Sequence, residues 1–346
     1  MTAITNVRIF DGAGLSEPRT VFLDGDRLAA EASSARTIDG TGKVLLPGLI
    51  DAHVHLHGRE NLEQLIRHGV TTALDMATTS AELLTALRDQ PGLSDIRSAG
   101  VPAIGPGGHH ARMPGMPAEA IVTDPAQAKD FVAARRAAGS DYLKIVLEAP
   151  GGGGPELPVA RALTGAAHEA GLLVIAHAAN AGAYTMALDA GVDVVTHAPL
   201  GPPIAGEDIP RVKVVVPTLT MMKGISSGIG QPRLYEGAKT SVTLLHRAGV
   251  PILAGTDANA APGSPSPVQH GASLHDELEL LVAAGLSTVD ALRAATALPA
   301  KHFGLTDRGA IRPGLRADLL LVDGDPVADI RATRAISRVW CAGVEC

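Results

Sequence analysis

Between residues 48 and 257 the chain repeats one texture. Short, nearly continuous apolar runs read as strands covered on both faces: GLIDAHVHL, TTALDMA, RSAGVPAIG, YLKIVLE, LVIAHA, DVVTHA, KVVVPTLT and ILAGTD. Ala-rich helical stretches lie between most of them. Examples are AELLTALRDQ, DPAQAKDFVAARRAAG, ARALTGAAHEAG, NAGAYTMALDAG and RLYEGAKTSVTLLHRAG. Several end in Gly, a common helix stop. The connection between DVVTHA and KVVVPTLT is short and irregular, and its helix signal is weak. Eight strands alternating with helices predict a parallel barrel, placed over residues 48–309.

The two ends of the chain read differently. ITNVRIFDG, TVFLDGDRLAA and RTIDGTGKVLLPG at one end, and GAIRPGLRADLLLVDGD and ISRVWCAGVEC at the other, are short β-type runs broken by Gly, Asp and Pro. Residues 1–47 and 310–346 are expected to pair into one small β domain. The fold class is therefore α/β: a (β/α)₈ TIM-like barrel with a small β-sandwich formed by both termini.

Composition narrows the picture. Of the 346 residues 46% are apolar but only 2% aromatic, so the core must be filled by Ala, Val, Leu and Ile. The formal charge is −7 and no basic run occurs, which excludes a nucleic-acid or anionic-membrane partner. No apolar run approaches the roughly 18 residues of a membrane span, and MTAITNVRIFDG does not read as a leader. Cys341 and Cys346 sit at the extreme C-terminus and read as ordinary thiols rather than a disulfide framework. A small-molecule substrate, a reducing cytoplasmic setting and a homo-oligomer are the expectations.

The chemistry lies at the strand ends. In DAHVHLH, His53 and His55 are two apart on a strand, so both imidazoles point to one side and could hold one divalent ion. Lys144 stands inside the apolar strand YLKIVLE, where an ammonium is costly to bury. It either finds an ion pair or the strand end, or its neutral amine takes up carbon dioxide and becomes a carbamate ligand. LVIAHA and DVVTHA carry His177 and His197 at matching places in two consecutive units. ILAGTD ends in Asp257, beside strand one once the barrel closes, where it could ligate a metal and accept a proton. This set of imidazole, carboxylate and carbamate suits Zn²⁺ best, with Mn²⁺, Fe²⁺, Co²⁺ or Ni²⁺ as alternatives.

With these residues in place, the chain resembles the amidohydrolase superfamily. KVLLPGLIDAHVHLH resembles that family's entry into the first barrel strand, and GAIRPGLRADLLLVDGDP its return to the β domain. HDELELLVAAGLSTVDALRAATALPAKHFGL resembles the helices after the last strand. The resemblance is to the imidazolonepropionase-like branch with Xaa-Pro-type dipeptidases. It implies two divalent ions: His53, His55 and Asp257 on one, His177 and His197 on the other, and a carboxylated Lys144 bridging them. It also implies hydrolysis of an amide, lactam or ester carbonyl of a small molecule by a metal-bridging hydroxide, with Asp257 as catalytic base.

Two positions depart from the family. Related mononuclear deaminases carry a Glu where this chain has Asn180, which argues against deamination. Dipeptidase-like members tend to carry a Tyr where this chain has Ala179, which puts a dipeptidase label in doubt. The loop GGHHARMPGMP offers His109 and His110 as substrate contacts, whereas Arg112 reads as a solvated charge. Gly151 to Gly154 are not followed by the Lys-Ser/Thr of a phosphate loop and suggest a mobile loop over the site. His270 and His275 are weaker candidates for the pocket wall, and His68, His168, His246 and His302 read as structural or surface residues. The rival functions are hydrolysis of a phosphoester or organophosphate at the same ions, and a non-catalytic scaffold.

Overall fold

The computed structural model describes residues 1–31, 35–259 and 264–346. Five strands come first: β1 (Thr2–Ile9), β2 (Arg19–Asp24), β3 (Arg27–Ala29), β4 (Arg36–Asp39) and β5 (Lys43–Pro47). The barrel strands and helices then alternate. They are β6 (Leu49–Val54), α1 (Arg59–Arg67), β7 (Val70–Asp75), α2 (Ala81–Leu87), β8 (Asp95–Ser98), α3 (Ala128–Ala137), β9 (Leu143–Val146), α4 (Leu157–Glu169), β10 (Val174–His177), α5 (Ala181–Ala190), β11 (Val194–Thr196), β12 (Val215–Val216), α6 (Leu219–Gly228) and α7 (Tyr235–Arg247). Helices α8 (Ala272–Ala283), α9 (Thr288–Ala294) and α10 (Ala297–His302) lead to β13 (Leu319–Asp323), β14 (Ile336–Cys341) and β15 (Val344–Glu345). Among the described residues no helix is long and apolar enough to cross a membrane.

Parallel pairing joins β6–β7–β8 and β9–β10–β11–β12. Single bridges complete the ring: Ala103 to Ile145, Val215 to Ile252, and Val54 to Ala258. The eighth segment, around residues 251–258, is extended but too irregular to count as a strand. Gly255 lets it lie against its neighbours, since a Cβ there would fall 2.4 Å from Val216 and 2.9 Å from the His53 nitrogen. Side chains from every barrel segment, Ile50, Leu74, Ala99, Tyr142, Ile175, Val194, Val216 and Leu253 among them, form an inner core cluster with Ala300 of α10. The opposite end of the barrel is left to the loops.

The terminal strands meet in one eight-stranded sheet, ordered β15-β14-β13-β5-β1-β2-β3 with β4 on β1. In β1 the register shifts between Ile4 and Val7, where Asn6 is left-handed (φ 55°). Its first half pairs with β2 and β4, and its last residues pair with β5. Ile4, Val21, Leu45, Leu319 and Trp340 share one apolar core across strands from both ends of the chain.

Two expectations need correcting. KVVVPTLT was expected to be one strand, but pairing covers only β12 and α6 begins at Leu219. Helix α6 has no cap of its own, because Thr218 before it is left-handed (φ 46°) and makes no capping bond. The buried Glu277 carboxylate of α8 substitutes, accepting the Leu219 and Thr220 N–H groups at 2.9 and 2.7 Å and the Thr220 hydroxyl at 2.8 Å. The loop Gly151 to Gly154 is also more engaged than a free flap. Gly107 N donates to Gly153 O at 3.0 Å, and a Cβ on Gly153 would lie 2.3 Å from the Gly107 backbone. Of the run APGSPSPV, residues 261–263 lie outside the described residues.

A buried ionic knot ties β8 to the segment entering the terminal sheet. Arg308 donates to Asp95 at 2.7 Å, to the Thr72 hydroxyl at 2.9 Å and to Asp307 at 2.9 Å, with Asp318 at 3.9 Å. Burial alone would lower the Arg308 pKa, but its bond to Asp307 and the charges of Asp95 and Asp318 raise it. Removing the guanidinium leaves Asp95 and Asp318 buried without it. Arg308→Met should therefore lose about 3–5 kcal/mol of unfolding free energy in urea titration. The added substitution Asp95→Asn should recover part of it, and a loss below about 1 kcal/mol would show the knot to be dispensable.

Candidate functional site

The six sequence-predicted donors line one cavity of about 510 Å³ at the loop end of the barrel. Their convergence has a local cause on each strand. On β6 the register shifts between Asp51 and Val54, a bulge that breaks the simple alternation. Ile50 and Ala52 join the inner core below it, while His53 and His55 face the cavity above it. On β9, Leu143 and Ile145 join the outer core and Lys144 faces inward between them. After β11, His197 is left-handed (φ 75°), so its imidazole reaches the cavity directly after the inward Thr196. Asp257 is left-handed too (φ 59°). Such backbones cost on the order of 1–3 kcal/mol each and concentrate at functional sites.

The distances are short. Asp257 Oδ1 lies 3.0 Å from His55 Nε2 and 3.4 Å from His53 Nε2, and Asp257 Oδ2 lies 3.8 Å from His197 Nδ1. One ligand atom each from His53, His197 and Asp257 fall within 4.8 Å of one another. The His177 and His197 rings are 4.4 Å apart, and His53 and His197 5.0 Å. His197 Nδ1 shares a 2.8 Å bond with the Thr218 hydroxyl, which fixes that ring. His53 Nδ1 is buried without a partner. Together these imidazole and carboxylate donors fit a divalent-metal centre.

Electrostatics follow from burial. Desolvation pushes His53 down to about 3 and holds His177 and His197 well below their ordinary range, so all three are neutral donors near neutral pH. Burial would raise Asp257, but the surrounding His53, His55 and His197 keep it well below the usual carboxylate range. Lys144 is pushed down to about 7 by burial, with Asp257 opposing. Its Nζ donates to the Thr196 hydroxyl at 2.8 Å, which in turn donates to Ala176 O at 3.1 Å.

The loops supply the remaining lining. His109 and His110 reach the cavity, and the His110 ring stands 4.9 Å from His177 with Nδ1 3.8 Å from Glu148. Arg112 donates instead to Gly107 O at 3.1 Å and does not line the cavity. His270 and His275 are buried in structural roles. His270 bonds His55 O at 2.8 Å, and His275 bonds His68 O at 3.0 Å and the Thr333 hydroxyl at 2.9 Å. Ala179 lines the cavity, whereas Asn180 caps α5 by accepting from Ala183 N at 3.0 Å. Three more residues shape the site without a strong sequence signal. His57, the third His of DAHVHLH, lines the cavity and bonds Asn259 at 2.9 Å. Glu148 also lines it. Asp51 does not, but it fixes those that do. Its buried carboxylate accepts from His53 N at 3.1 Å, Thr256 N at 3.0 Å and the Thr256 hydroxyl at 2.7 Å.

Comparison with known proteins follows this geometry. The amidohydrolase family profile matches residues 44–346. An adenine deaminase of Gluconobacter oxydans is 27% identical over 341 residues, covering 92% of this chain and 55% of the relative. The chain thus spans about half the length of the curated relatives it matches. A Xaa-Pro dipeptidase solved with bound methionine superposes with a TM-score of 0.85 at 22% identity, covering 100% of this chain and 99% of the other. A Bifidobacterium longum protein with a provisional prolidase label gives 0.84 at 27%, covering 100% and 94%.

The buried lysine makes stability pH-dependent in a defined direction. Below about pH 7 the ammonium is charged in the folded and unfolded chain alike, and its burial penalises the fold. Between about 7 and the ordinary value of 10.5 the folded chain releases the proton while the unfolded chain keeps it. Stability therefore rises with pH across that window. Denaturation of the metal-free chain from pH 6 to 9 should show the wild type gaining on Lys144→Met. A difference that stays flat with pH would mean that Lys144 is not buried as an amine.

Proposed function

The chain belongs to the amidohydrolase family, and from that membership we propose that it is a metal-dependent hydrolase cleaving C–N bonds of small molecules. The observation that carries the proposal is the convergence of His53, His55, Lys144, His177, His197 and Asp257 on one cavity. In this reading His53, His55 and Asp257 would hold one divalent ion, His177 and His197 would hold a second, and a carboxylated Lys144 would serve as the ligand common to both. Zn²⁺ is the proposed metal. Bound there, the ions would polarise the scissile carbonyl and lower the pKa of water toward about 7.

The chain's own residues do the rest. Lys144, kept neutral by burial and bonded to the Thr196 hydroxyl, would add carbon dioxide through its Nζ and release one proton to water as the carbamate forms. Asp257 accepts a proton from the attacking water and hands it to the leaving nitrogen. His110, backed by Glu148, and His109 contact the substrate from the third-strand loop. With all six donors retained, a non-catalytic scaffold is disfavoured. The adenine deaminase likeness makes deamination the second reading, opposed by Asn180, whose side chain is occupied as a helix cap.

Chelation followed by reloading with Zn²⁺, Mn²⁺ or Co²⁺, then assay against N-acyl amino acids, dipeptides, lactams, lactones, adenine and a phosphotriester, tests the proposal. Metal-dependent cleavage of an amide-type bond supports it. Retention of no metal, or turnover confined to the phosphotriester, refutes it. Asp257→Asn preserves an oxygen donor but is a poor base, so kcat should fall by at least about 10²-fold while metal content survives. Full turnover of a metal-replete Asp257→Asn protein would remove Asp257 from proton transfer, and metal loss matching activity loss would reduce it to a ligand.

A further inference from the structure

The cavity floor and its walls are chemically distinct. Around the donors, three regions converge: the segment from Met76 to Leu83 after β7, the loop carrying Met113 and Met116, and the first turns of helix α6 with Met221, Met222 and Ile225. Five of the chain's seven methionines line this one space. Among the described residues no arginine lines it, and its single lysine, Lys144, is committed to the donor cluster on the floor. The wall carboxylate, Glu148, faces His110. Outside the floor the wall holds, among the described residues, no guanidinium or ammonium for a substrate anion, but the hydroxyls of Thr78, Thr79 and Ser80 and the imidazoles of His57, His109 and His110.

From this, and resting on the hydrolase reading above, we infer that the substrate group lodged beside the reacting carbonyl is uncharged and apolar. A carboxylate there would lose its water and find hydroxyls and imidazoles but no guanidinium or ammonium to offset the loss, which is costly. A simple C-terminal dipeptide is therefore a poor substrate, and neutral amides, anilides or carbamates are the preferred class. Thioethers set the second half of the specificity. Methionine is unbranched and polarizable and adapts to varied shapes, and among the described residues no Phe, Tyr or Trp lines the cavity to impose a flat slot. The wall should accept alkyl and aryl groups alike.

A matched series on the metal-loaded full chain tests this: 4-nitroanilides of hexanoic acid, of adipic acid (a free terminal carboxylate) and of 6-aminohexanoic acid. Release of 4-nitroaniline is measured alongside calorimetric binding of the corresponding amides, hexanamide, adipamate and 6-aminohexanamide. The neutral member should exceed the anionic one by at least about 100-fold in kcat/KM, and the ordering should recur in binding. Met113→Arg, a half-buried loop position that carries little folding risk, should narrow the neutral-to-anionic ratio by at least about tenfold by supplying the missing cation. Equal or better use of the anionic member, binding of no neutral member, or an unmoved ratio in Met113→Arg overturns the inference. Binding in the expected order without release of 4-nitroaniline from any member would instead sink the hydrolase reading and leave the inference standing.

Discussion

A carboxylate with no exposed surface joins the first and last segments of the barrel. Asp51 takes the His53 N–H on its own strand and both the N–H and the hydroxyl of Thr256 across the seam. Burial lifts its pKa to about 7 against the pull of those bonds. The metal-ligand candidates flank this one group on both sides, His53 two residues ahead and Asp257 next to Thr256. The eighth segment pairs with β6 through backbone bonds from Ala52 N to Ala254 O (2.9 Å), Asp257 N to His53 O (2.8 Å) and His55 N to Ala258 O (2.9 Å), and the Asp51–Thr256 bonds pin that irregular ladder in register. If the seam slipped by one residue, His53, His55 and Asp257 would no longer face the same space.

The cluster above the seam is a conflict of charge and burial as it stands. Neutral imidazoles, an ionised Asp257 and an amine pushed down to about 7 are packed where water is scarce. His53 keeps a nitrogen with no partner, and His197 and Asp257 sit on left-handed backbone. A fold optimised for stability alone would not gather these features in one place. Parallel strands can hold them because they are backed by a close-packed outer core, filled mostly by Ala, Val, Leu and Ile with Phe131 of α3 and Tyr184 of α5 among the helix side chains.

Much of this was legible in the sequence, and the failures have physical causes. The apolar runs and Ala-rich stretches forecast the barrel because buried parallel strands must be apolar on both faces. The donors were legible because a His, Lys or Asp at the end of such a run has no packing rationale. Helix α6 was not legible: its sequence LTMMKGISSG contains two glycines and two serines, and its N-terminal N–H groups are satisfied by Glu277, nearly sixty residues later. Asp51 was overlooked because its role depends on Thr256, far along the chain. His270 and His275, the weaker candidates for the pocket wall, hold backbone carbonyls instead, a role that a His near the site serves as readily as facing a cavity.

The difference between floor and wall follows from the same architecture. The floor is built on strand ends whose positions are fixed by neighbours on both sides, the condition under which a set of donors can be held in a fixed geometry. The wall is built on connections, where a side chain answers to fewer constraints and can change without unseating the barrel. In the proposed reading, chemistry therefore belongs to the strand ends and choice of substrate to the connections above them. That division explains why a single scaffold accompanies deaminase, dipeptidase and hydrolase names among similar proteins. It also explains why, for this chain, the thioethers on its connections and on helix α6 say more about the substrate than the histidines at its strand ends.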